Sequence, residues 1–190
     1  MMKYYISLLL LVLFVKSMQA QSQDRFEITQ HGIVSSEDAN SSYIYVDIPN
    51  TKQNDILQGI REYIQKHWKD PMNSLKIENN SAIISYNHDV SVASKEYRLE
   101  GVMTIDVKDN RLRVSFNFIG LYREVRTLAI YQHYHFTKEH CPPSSFYFRR
   151  GIYEGDKVKY PNQKEAIEDF LNQEVRDIST HFLKKSQMDW

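Results

Sequence analysis

Cysteine is almost absent from this sequence, since Cys141 is the single cysteine among 190 residues. One thiol cannot form an internal disulfide, so the fold must rely on its hydrophobic core rather than on covalent cross-links. The composition permits such a core, because 42% of the residues are hydrophobic and 13% are aromatic. These values are typical of a folded globule and exclude a disordered chain, and the length favours one domain.

An excess of charge is also absent. The 24 basic and 24 acidic residues balance, and without the first twenty residues 22 basic residues remain against 24 acidic ones. Nucleic-acid binding depends on clustered Lys and Arg side chains. The charge balance therefore excludes the usual electrostatic footprint of a nucleic-acid-binding protein, and we predict no nucleic-acid partner.

The motifs of the common enzyme classes are missing as well. The sequence contains no glycine-rich phosphate loop, no nucleophile elbow and no paired-carboxylate motif. Internal repeats and low-complexity tracts do not stand out either. These absences favour a non-catalytic module that needs no cofactor.

The N-terminus has the pattern of a secretory signal peptide. A short basic start, residues 1–3, precedes an apolar run, residues 4–15. A run of about twelve residues matches a signal-peptide hydrophobic region and is too short to span a bilayer, which needs about twenty. We predict cleavage after Ala20, so that residues 1–20 are a signal peptide and the mature protein is exported to the periplasm or secreted. It would meet the membrane only through the signal peptide before cleavage, and the alternative is an uncleaved anchor.

The most regular pattern is a long two-stranded hairpin over residues 97–122. Apolar and polar residues alternate over 97–108 and again over 111–118, as they do in half-buried strands. Asp109 and Asn110 interrupt the alternation, and both residue types tolerate the positive φ of a tight primed turn. A hairpin is not stable alone, so its apolar face requires a cover from the rest of the chain.

An amphipathic helix is the natural cover for that face. Apolar residues recur at every fourth position over residues 56–68, which indicates one buried stripe. Asn50 and Gln53 have the spacing of a capping box at the helix start, and Pro71 ends the helix. The stripe consists of Ile56, Ile60, Ile64 and Trp68.

Shorter elements surround the helix and the hairpin. Strand-like composition marks residues 43–48, Leu75–Glu78 and 82–86, whereas the polar residues 87–95 predict a loop. Consecutive antiparallel strands with a helix on one face predict an α+β sandwich of two layers.

The last third of the chain adds strands and a second helix. Residues 128–136 and 146–148 have strand-like composition. Asn162 and Glu165 have the spacing of a second capping box. The apolar stripe that follows is interrupted by Glu174, and we predict that this helix packs beside the first one or on the open edge of the sheet.

The hairpin segment GVMTIDVKDNRLR, residues 101–113, resembles a motif of the domain-of-unknown-function family DUF4468, which occurs in exported proteins of Bacteroidetes-type bacteria. Asn110 stands where glycine is more usual in that family. The resemblance covers roughly residues 43–126, under half of the chain, and rests on this segment and on the element order. It implies a TBP-like fold, an antiparallel sheet with helices packed on one face. No catalytic residues are assigned in the family, and a TBP-like shape does not imply DNA binding.

The resemblance and the signal pattern together suggest the domain organisation. We predict a signal peptide over residues 1–20 and a single α+β domain over residues 21–190. Within that domain, residues 43–126 form the TBP-like core, and residues 127–190 contribute the C-terminal strands and helix.

Three histidines and the cysteine are the clearest candidates for chemistry. His133 and His135 share one face of a strand, and His140 and Cys141 follow closely. Imidazole and thiolate groups bind zinc tetrahedrally, so these residues allow an alternative function, a metal-dependent periplasmic hydrolase. Their spacing matches no standard zinc motif. We therefore favour the interpretation that these four are exposed residues of a strand and a loop and bind no metal. We interpret Cys141 as a free thiol rather than a nucleophile, because a catalytic histidine is usually brought in by the fold.

Aromatic residues are concentrated between positions 122 and 160, where there are nine, close to Arg149, Arg150 and Lys157. Tyrosine and arginine are enriched in binding hot spots, so exposed members of this segment would bind an unknown protein or glycan partner. Most of the aromatic rings are instead expected to pack into the core. The candidate binding residues are Tyr131, Tyr134, Tyr147, Arg149, Arg150 and Tyr153.

Overall fold

The computed structural model describes residues 24–125, 130–142 and 147–188. The predicted signal peptide, residues 1–20, and its cleavage site lie outside the described residues, so export stays a prediction from the sequence. Within the described ranges, no helix combines the length and the apolar character needed to cross a membrane.

Strands make up most of the described chain. In chain order they are β1 (Phe26–Thr29), β2 (Gly32–Ser35), β3 (Tyr43–Asp47), β4 (Leu75–Glu78), β5 (Ser81–Val92), β6 (Lys95–Lys108), β7 (Arg111–Val125), β8 (Ile130–His135), β9 (Tyr147–Gly151), β10 (Tyr153–Glu154) and β11 (Lys157–Val158). The helices are α1 (Gln53–His67), α2 (Pro71–Ser74) and α3 (Pro161–Met188), with a 3-10 helix at Lys138–His140.

Seven of these strands form one large sheet. Its neighbours follow the order β4-β5-β6-β7-β8-β9, and β3 pairs with the first part of β7 along the edge that β8 uses further on. The pairs are antiparallel except for β8 and β9, which run parallel. The architecture is α+β with a mostly antiparallel sheet and helices on one side, as predicted.

The predicted central hairpin is present as β6 and β7. Alternate residues of both strands are buried, from Tyr97 to Val107 and from Leu112 to Phe118. Of the two turn residues, only Asn110 has a positive φ, at 66°. Two consecutive positive φ values occur in a different turn, at Ala93 and Ser94, which joins β5 to β6.

The predicted loop over residues 87–95 is wrong, because β5 continues to Val92 and pairs with β6 throughout. Its side chains alternate between the helices and the open face, which makes polar residues compatible with a strand. His88, for example, lies on the helix side, where its ring centre is 5.0 Å from that of Trp68 and 5.3 Å from that of Phe170.

The start of α1 is capped by the central hairpin rather than by its own sequence. The backbone N–H of Gln53 donates to Asp109 Oδ1 at 2.8 Å, and that of Thr51 donates to Asn110 Oδ1 at 3.2 Å. Asn50 has a φ of 59° and does not cap. The predicted capping box is therefore wrong, and a distant turn satisfies the first N–H group of the helix and the N–H of Thr51 just before it.

Helix α3 packs beside α1 on the covered face of the sheet. The ring of Phe182 occupies the space that a side chain at Gly59 would need. Glu174, which interrupts the apolar stripe, accepts a hydrogen bond from Tyr63 Oη at 3.2 Å. The second predicted capping box is wrong, because α3 begins at Pro161 and Asn162 lies inside its first turn. Proline suits that position because its missing N–H would be unpaired there anyway.

A β-bulge in β7 positions the region discussed below. Glu100 lies opposite Gly120, whereas Gly101 lies opposite Phe118, so Ile119 is an extra, exposed residue. The bulge shifts the alternation of β7, and Gly120 then lies on the face opposite the helices.

Candidate functional site

His133 is completely buried on the face of the sheet opposite the helices. It pairs with Tyr122 across β7 and β8, and the two rings stack at 4.4 Å. Its Nε2 lies 3.3 Å from the carbonyl oxygen of Ile119, which can only accept, so Nε2 carries the proton. Burial lowers the pKa of His133. The glycine at position 120 is required here, because a Cβ would overlap Nε2.

His135 is a second buried, neutral imidazole. Its Nδ1 accepts a hydrogen bond from the backbone N–H of Phe136 at 2.8 Å. Its ring stacks on His140 at 5.2 Å and contacts Phe118 at 5.0 Å between centres. Burial first, and then the positive charges of His140 and His133, lower the pKa of His135 to about 4. Near neutral pH this side chain is uncharged.

Cys141 is buried behind the same strand. Its Sγ lies 3.6 Å from the carbonyl oxygens of both His133 and Arg150. Burial raises the pKa of the Cys141 thiol, so the group stays protonated. A reactive cysteine needs an accessible thiolate, whereas Cys141 is buried and protonated.

The four candidate zinc ligands therefore do not form a metal site where the structure places them. In the described ranges, no group of three or more His, Cys, Asp or Glu residues could hold a metal ion. Backbone groups occupy His133 Nε2 and His135 Nδ1. The favoured interpretation as exposed residues is also wrong for His133, His135 and Cys141, because the loop after β8 folds back over them; only His140 is exposed.

The predicted binding residues separate into different environments. Tyr131 is 43% exposed, whereas Tyr134 is 4% exposed and packs against Tyr97 and Tyr160, with ring centres 5.8 and 5.1 Å away. Tyr134 is thus corrected from a surface residue to a core residue, because it lies on the helix side of β8. Tyr147 lies opposite Tyr131 in the β8–β9 register.

The other three predicted residues, Arg149, Arg150 and Tyr153, line a cleft of about 300 Å³. We call it the C-terminal cleft. Its walls are the 3-10 helix, the end of β9 and the β10–β11 hairpin. The charged residues that line it are Lys138, Glu139, Arg149, Arg150, Glu154 and Lys159.

The charge of the C-terminal cleft is not compensated. Lys159 pairs with Glu154 at 2.7 Å. Within the part of the chain that the structure describes, Lys138, Arg149 and Arg150 make no ion pair at all, and Glu139 is the single acid left beside them. Three cations thus face solvent around one small concavity, which creates a positive potential there.

Backbone contacts fix the walls of the C-terminal cleft. Gly151 lets the 3-10 helix approach β9, because a Cβ there would meet the backbone N of Lys138 at 2.6 Å. The backbone N–H of Tyr153 donates to the carbonyl of Phe136 at 2.8 Å. The Tyr153 hydroxyl donates to the carbonyl of Ile28 at 2.5 Å and ties the hairpin to β1. The site is therefore preorganised.

Two other concave regions differ in charge. A groove of about 440 Å³ beside Tyr97, Tyr122 and Tyr131 is acidic, with four carboxylates and one arginine. On the open face near Tyr45, both arginines are already paired: Arg111 with Asp47 at 2.6 Å and Arg113 with Asp106 at 2.5 Å. Lys108 is the third cation that lines this region. Of the residues that line these two regions, the sequence predicts only Tyr131 of the acidic groove as a binding residue, because the others are brought together from different strands by the fold. Sequence reasoning did find Arg149 and Arg150, through their adjacency to tyrosines.

Comparison with known proteins bears on the fold. No family model and no curated protein matches the chain. A TBP-like protein from Parabacteroides distasonis has a similar solved structure, with a TM-score of 0.53 at 14% identity over 74% of this chain and 90% of that chain. A DUF4468 family protein from Bacteroides ovatus gives a TM-score of 0.46 at 10% identity over 74% and 84%. The first similarity shows the fold alone, and the chain has the TBP-like fold that the resemblance of residues 101–113 implies.

Proposed function

We propose that the protein is an exported, non-catalytic binding module that holds an anionic protein or glycan partner in the C-terminal cleft. The observation that carries this proposal is the convergence on one cleft of three cations, Lys138, Arg149 and Arg150, that make no ion pair with any described residue. Tyr153 and Tyr160 lie beside them. Arginine and tyrosine are both enriched in binding hot spots.

The chemistry of these groups favours an oxyanion. A guanidinium group donates two parallel hydrogen bonds to a carboxylate, sulfate or phosphate, and such charge-assisted bonds are the strongest that a side chain makes. One exposed ion pair contributes only about 0–1 kcal/mol. Useful affinity therefore requires several cations to act on one ligand, which their grouping in the C-terminal cleft permits.

The two β8 histidines and Cys141, which follows the 3-10 helix, support a structural rather than a catalytic role. His133, His135 and Cys141 are buried in their uncharged forms, and their nearest polar partners are backbone groups. A general base must reach the substrate and titrate near the working pH. The low pKa of His135 and its burial work against such a role.

Export is part of the proposal, and the mass of the natural product tests it. The protein recovered from the cell envelope or the medium is expected to lack residues 1–20. An intact mass that includes the N-terminal 20 residues would support the uncleaved anchor instead.

Binding is tested with two defined probes, poly-L-glutamate and polygalacturonate, each against an uncharged counterpart of the same backbone. The mature protein should bind at least one acidic probe at about 0.15 M salt, with an affinity that falls as salt is added. The Arg149→Ala, Arg150→Ala double variant should bind about tenfold more weakly. Arg61→Ala, which removes an exposed arginine on α1, is the matched control and should bind normally.

Two results would contradict the proposal. One is that neither acidic probe binds the mature protein. The other is that the double variant and the Arg61→Ala control bind equally well, because the cations of the C-terminal cleft would then make no contribution.

A further inference from the structure

We infer that the C-terminal cleft takes its partner by strand addition, with an extended acidic peptide segment lying along the outer edge of β9. This inference rests on the proposed binding function and names the partner and its mode of binding. A peptide is distinguished from a glycan here because only a peptide offers backbone N–H and C=O groups at the spacing of a strand.

The position of β9 in the sheet is the first argument. β9 is the last strand in the order, and it pairs with β8 on one side. No strand among the described residues pairs with its other side. An unpaired edge is a template for another strand, and main-chain hydrogen bonds to such an edge supply affinity in many peptide-binding domains.

The placement of the two arginines is the second argument. Arg149 and Arg150 are consecutive residues of one strand, so their side chains leave it on opposite faces. Their partners in the register, His133 and Tyr134, likewise lie on opposite faces of the sheet. Both arginines nevertheless line the same cleft. We therefore infer that the C-terminal cleft extends around the edge of β9.

A ligand that reaches both arginines must itself cross that edge. A single small oxyanion lies on one face or the other. An extended peptide beside β9 places successive side chains alternately on the two faces, so two adjacent acidic residues would meet Arg149 on one face and Arg150 on the other. Lys138, on the 3-10 helix wall, adds a third cation within the same cleft.

The length of β9 sets the length of the segment. The strand has five residues, which at about 3.3 Å per residue correspond to an edge of roughly 16 Å. A matching peptide segment would have about five residues. The competing explanation is that the arginines only protect the edge against self-association, as charged residues do on many edge strands.

Two backbone-methylated peptides test the strand pairing directly. The parent probe is a short peptide of threonine and valine with two adjacent glutamates at its centre. One derivative carries N-methyl groups at the odd backbone nitrogens and the other at the even ones. In strand addition only alternate N–H groups face the edge, so one derivative should bind at least about tenfold more weakly than the parent and the other should bind like the parent.

Two further readouts accompany the affinities, and both use the mature protein. A glutamine version of the peptide should bind about tenfold more weakly. Arg149→Ala and Arg150→Ala should each weaken binding of the parent peptide by up to about fivefold, with Arg61→Ala unchanged. Amide hydrogen exchange in residues 147–151 should slow when the parent peptide is added, because pairing protects the edge N–H groups.

Failure of this inference differs from failure of the binding function. If both methylated peptides bind like the parent, or if polygalacturonate binds and the peptide does not, strand addition is overturned while anion binding stands. If no acidic probe binds, both are overturned. Self-association of the Arg149→Ala, Arg150→Ala variant, without binding of any acidic probe to the parent protein, would assign the arginines to edge protection and would overturn both.

Discussion

Strands β8 and β9 pair in parallel. Each carries one of the two groups of residues that the sequence analysis identifies as functional candidates. His133 lies opposite Arg149, and Tyr134 lies opposite Arg150. On β8 these side chains are buried and uncharged. On β9 the arginines are exposed and charged, and within the described chain they have no ion-pair partner. The contrast shows that solvent access, more than residue type, separates a core cluster from a candidate site.

The difference between the two strands follows from their neighbours. β8 has β7 on one side and β9 on the other, and the loop after β8 folds over its open face. The bulge at Ile119 places Gly120 directly beneath His133. β9 has a described neighbour on one side only. Substitutions near β8 should therefore change stability, and substitutions on β9 should change binding.

The largest effect on stability is expected from Gly120→Val. Its side chain would overlap the ring of His133, which is completely buried and stacks on Tyr122. We expect the free energy of unfolding to fall by about 3 kcal/mol, as measured by urea denaturation. Asn117→Val, at an exposed position of the same strand, is the control and should cost less than about 1 kcal/mol. The cost of Gly120→Val should shrink in a His133→Ala background.

A loss of less than about 1 kcal/mol in Gly120→Val would contradict this packing. Equal costs of Gly120→Val in the wild-type and His133→Ala backgrounds would do the same, because they would show that residue 120 and His133 do not interact.

The pH dependence of stability should be the next largest effect. The pKa of His135 is about 4 in the folded protein against an ordinary value of 6.5. The unfolded chain therefore binds the proton more readily between these values. The stability that neutral His135 contributes is fully present above pH 6.5. It is lost as the pH falls towards 4, by up to about 3 kcal/mol. His135→Asn, whose Oδ1 can replace the Nδ1 acceptor, should flatten the profile measured by urea denaturation at pH 7 and pH 4.5.

If wild type and His135→Asn lose the same stability between pH 7 and pH 4.5, His135 is not a buried neutral group. Its environment would then resemble that of β9 more than the core, and the contrast between the strands would fail.

Glu174 on α3 changes the free energy of unfolding with pH in the opposite direction to His135. Its contribution must be measured separately before the pH profile can be assigned to His135. Burial raises the pKa of Glu174 to about 7 from an ordinary 4.5. Its contribution to stability is present below pH 4.5 and is lost as the pH rises through 7. Glu174→Gln, which keeps an acceptor for Tyr63, should raise the free energy of unfolding at pH 8 by about 1–2 kcal/mol and leave it unchanged at pH 4.5.

Gln173→Glu, at an exposed neighbouring position, is the control in the same urea series. Its free energy of unfolding should not increase at pH 8. Equal stability of Glu174→Gln and wild type at both pH values would mean that the carboxyl is already solvated.

The smallest effect on stability is expected on β9. Arg149→Ala and Arg150→Ala remove exposed side chains that make no ion pair within the described residues. Each should change the free energy of unfolding by less than about 0.5 kcal/mol in the urea assay that detects the β8 variants. A loss of more than about 2 kcal/mol would make these arginines structural, like the residues of β8.

Much of the fold is predictable from local patterns. The alternation of β6 and β7 and the stripe of α1 are strong because each pattern repeats over several turns or residue pairs. The capping of α1 by Asp109 and Asn110 is not predictable in this way, because the donor and acceptor groups are more than fifty residues apart. The part of β5 beyond Tyr86 is not predictable from local sequence either, because its polar side chains find partners only in the folded sheet.

The candidate site was predictable in composition but not in arrangement. Arg149, Arg150 and Tyr153 were found because arginine and tyrosine are neighbours in the sequence. Lys138 joins them only through the close contact at Gly151. The burial of His133 depends on the bulge at Ile119 and on the ring of Tyr122, and neither is visible in the spacing of the histidines.

The most direct test of the central claim is an amide chemical-shift map of the mature protein titrated with the acidic parent peptide. Binding in the C-terminal cleft predicts that the largest shifts fall in residues 137–142 and 147–160 and leave the open face around Tyr43, Tyr45, Arg111 and Arg113 unchanged. Shifts centred on that open face, or no shifts at saturating peptide, would contradict the assignment of the C-terminal cleft as the binding site.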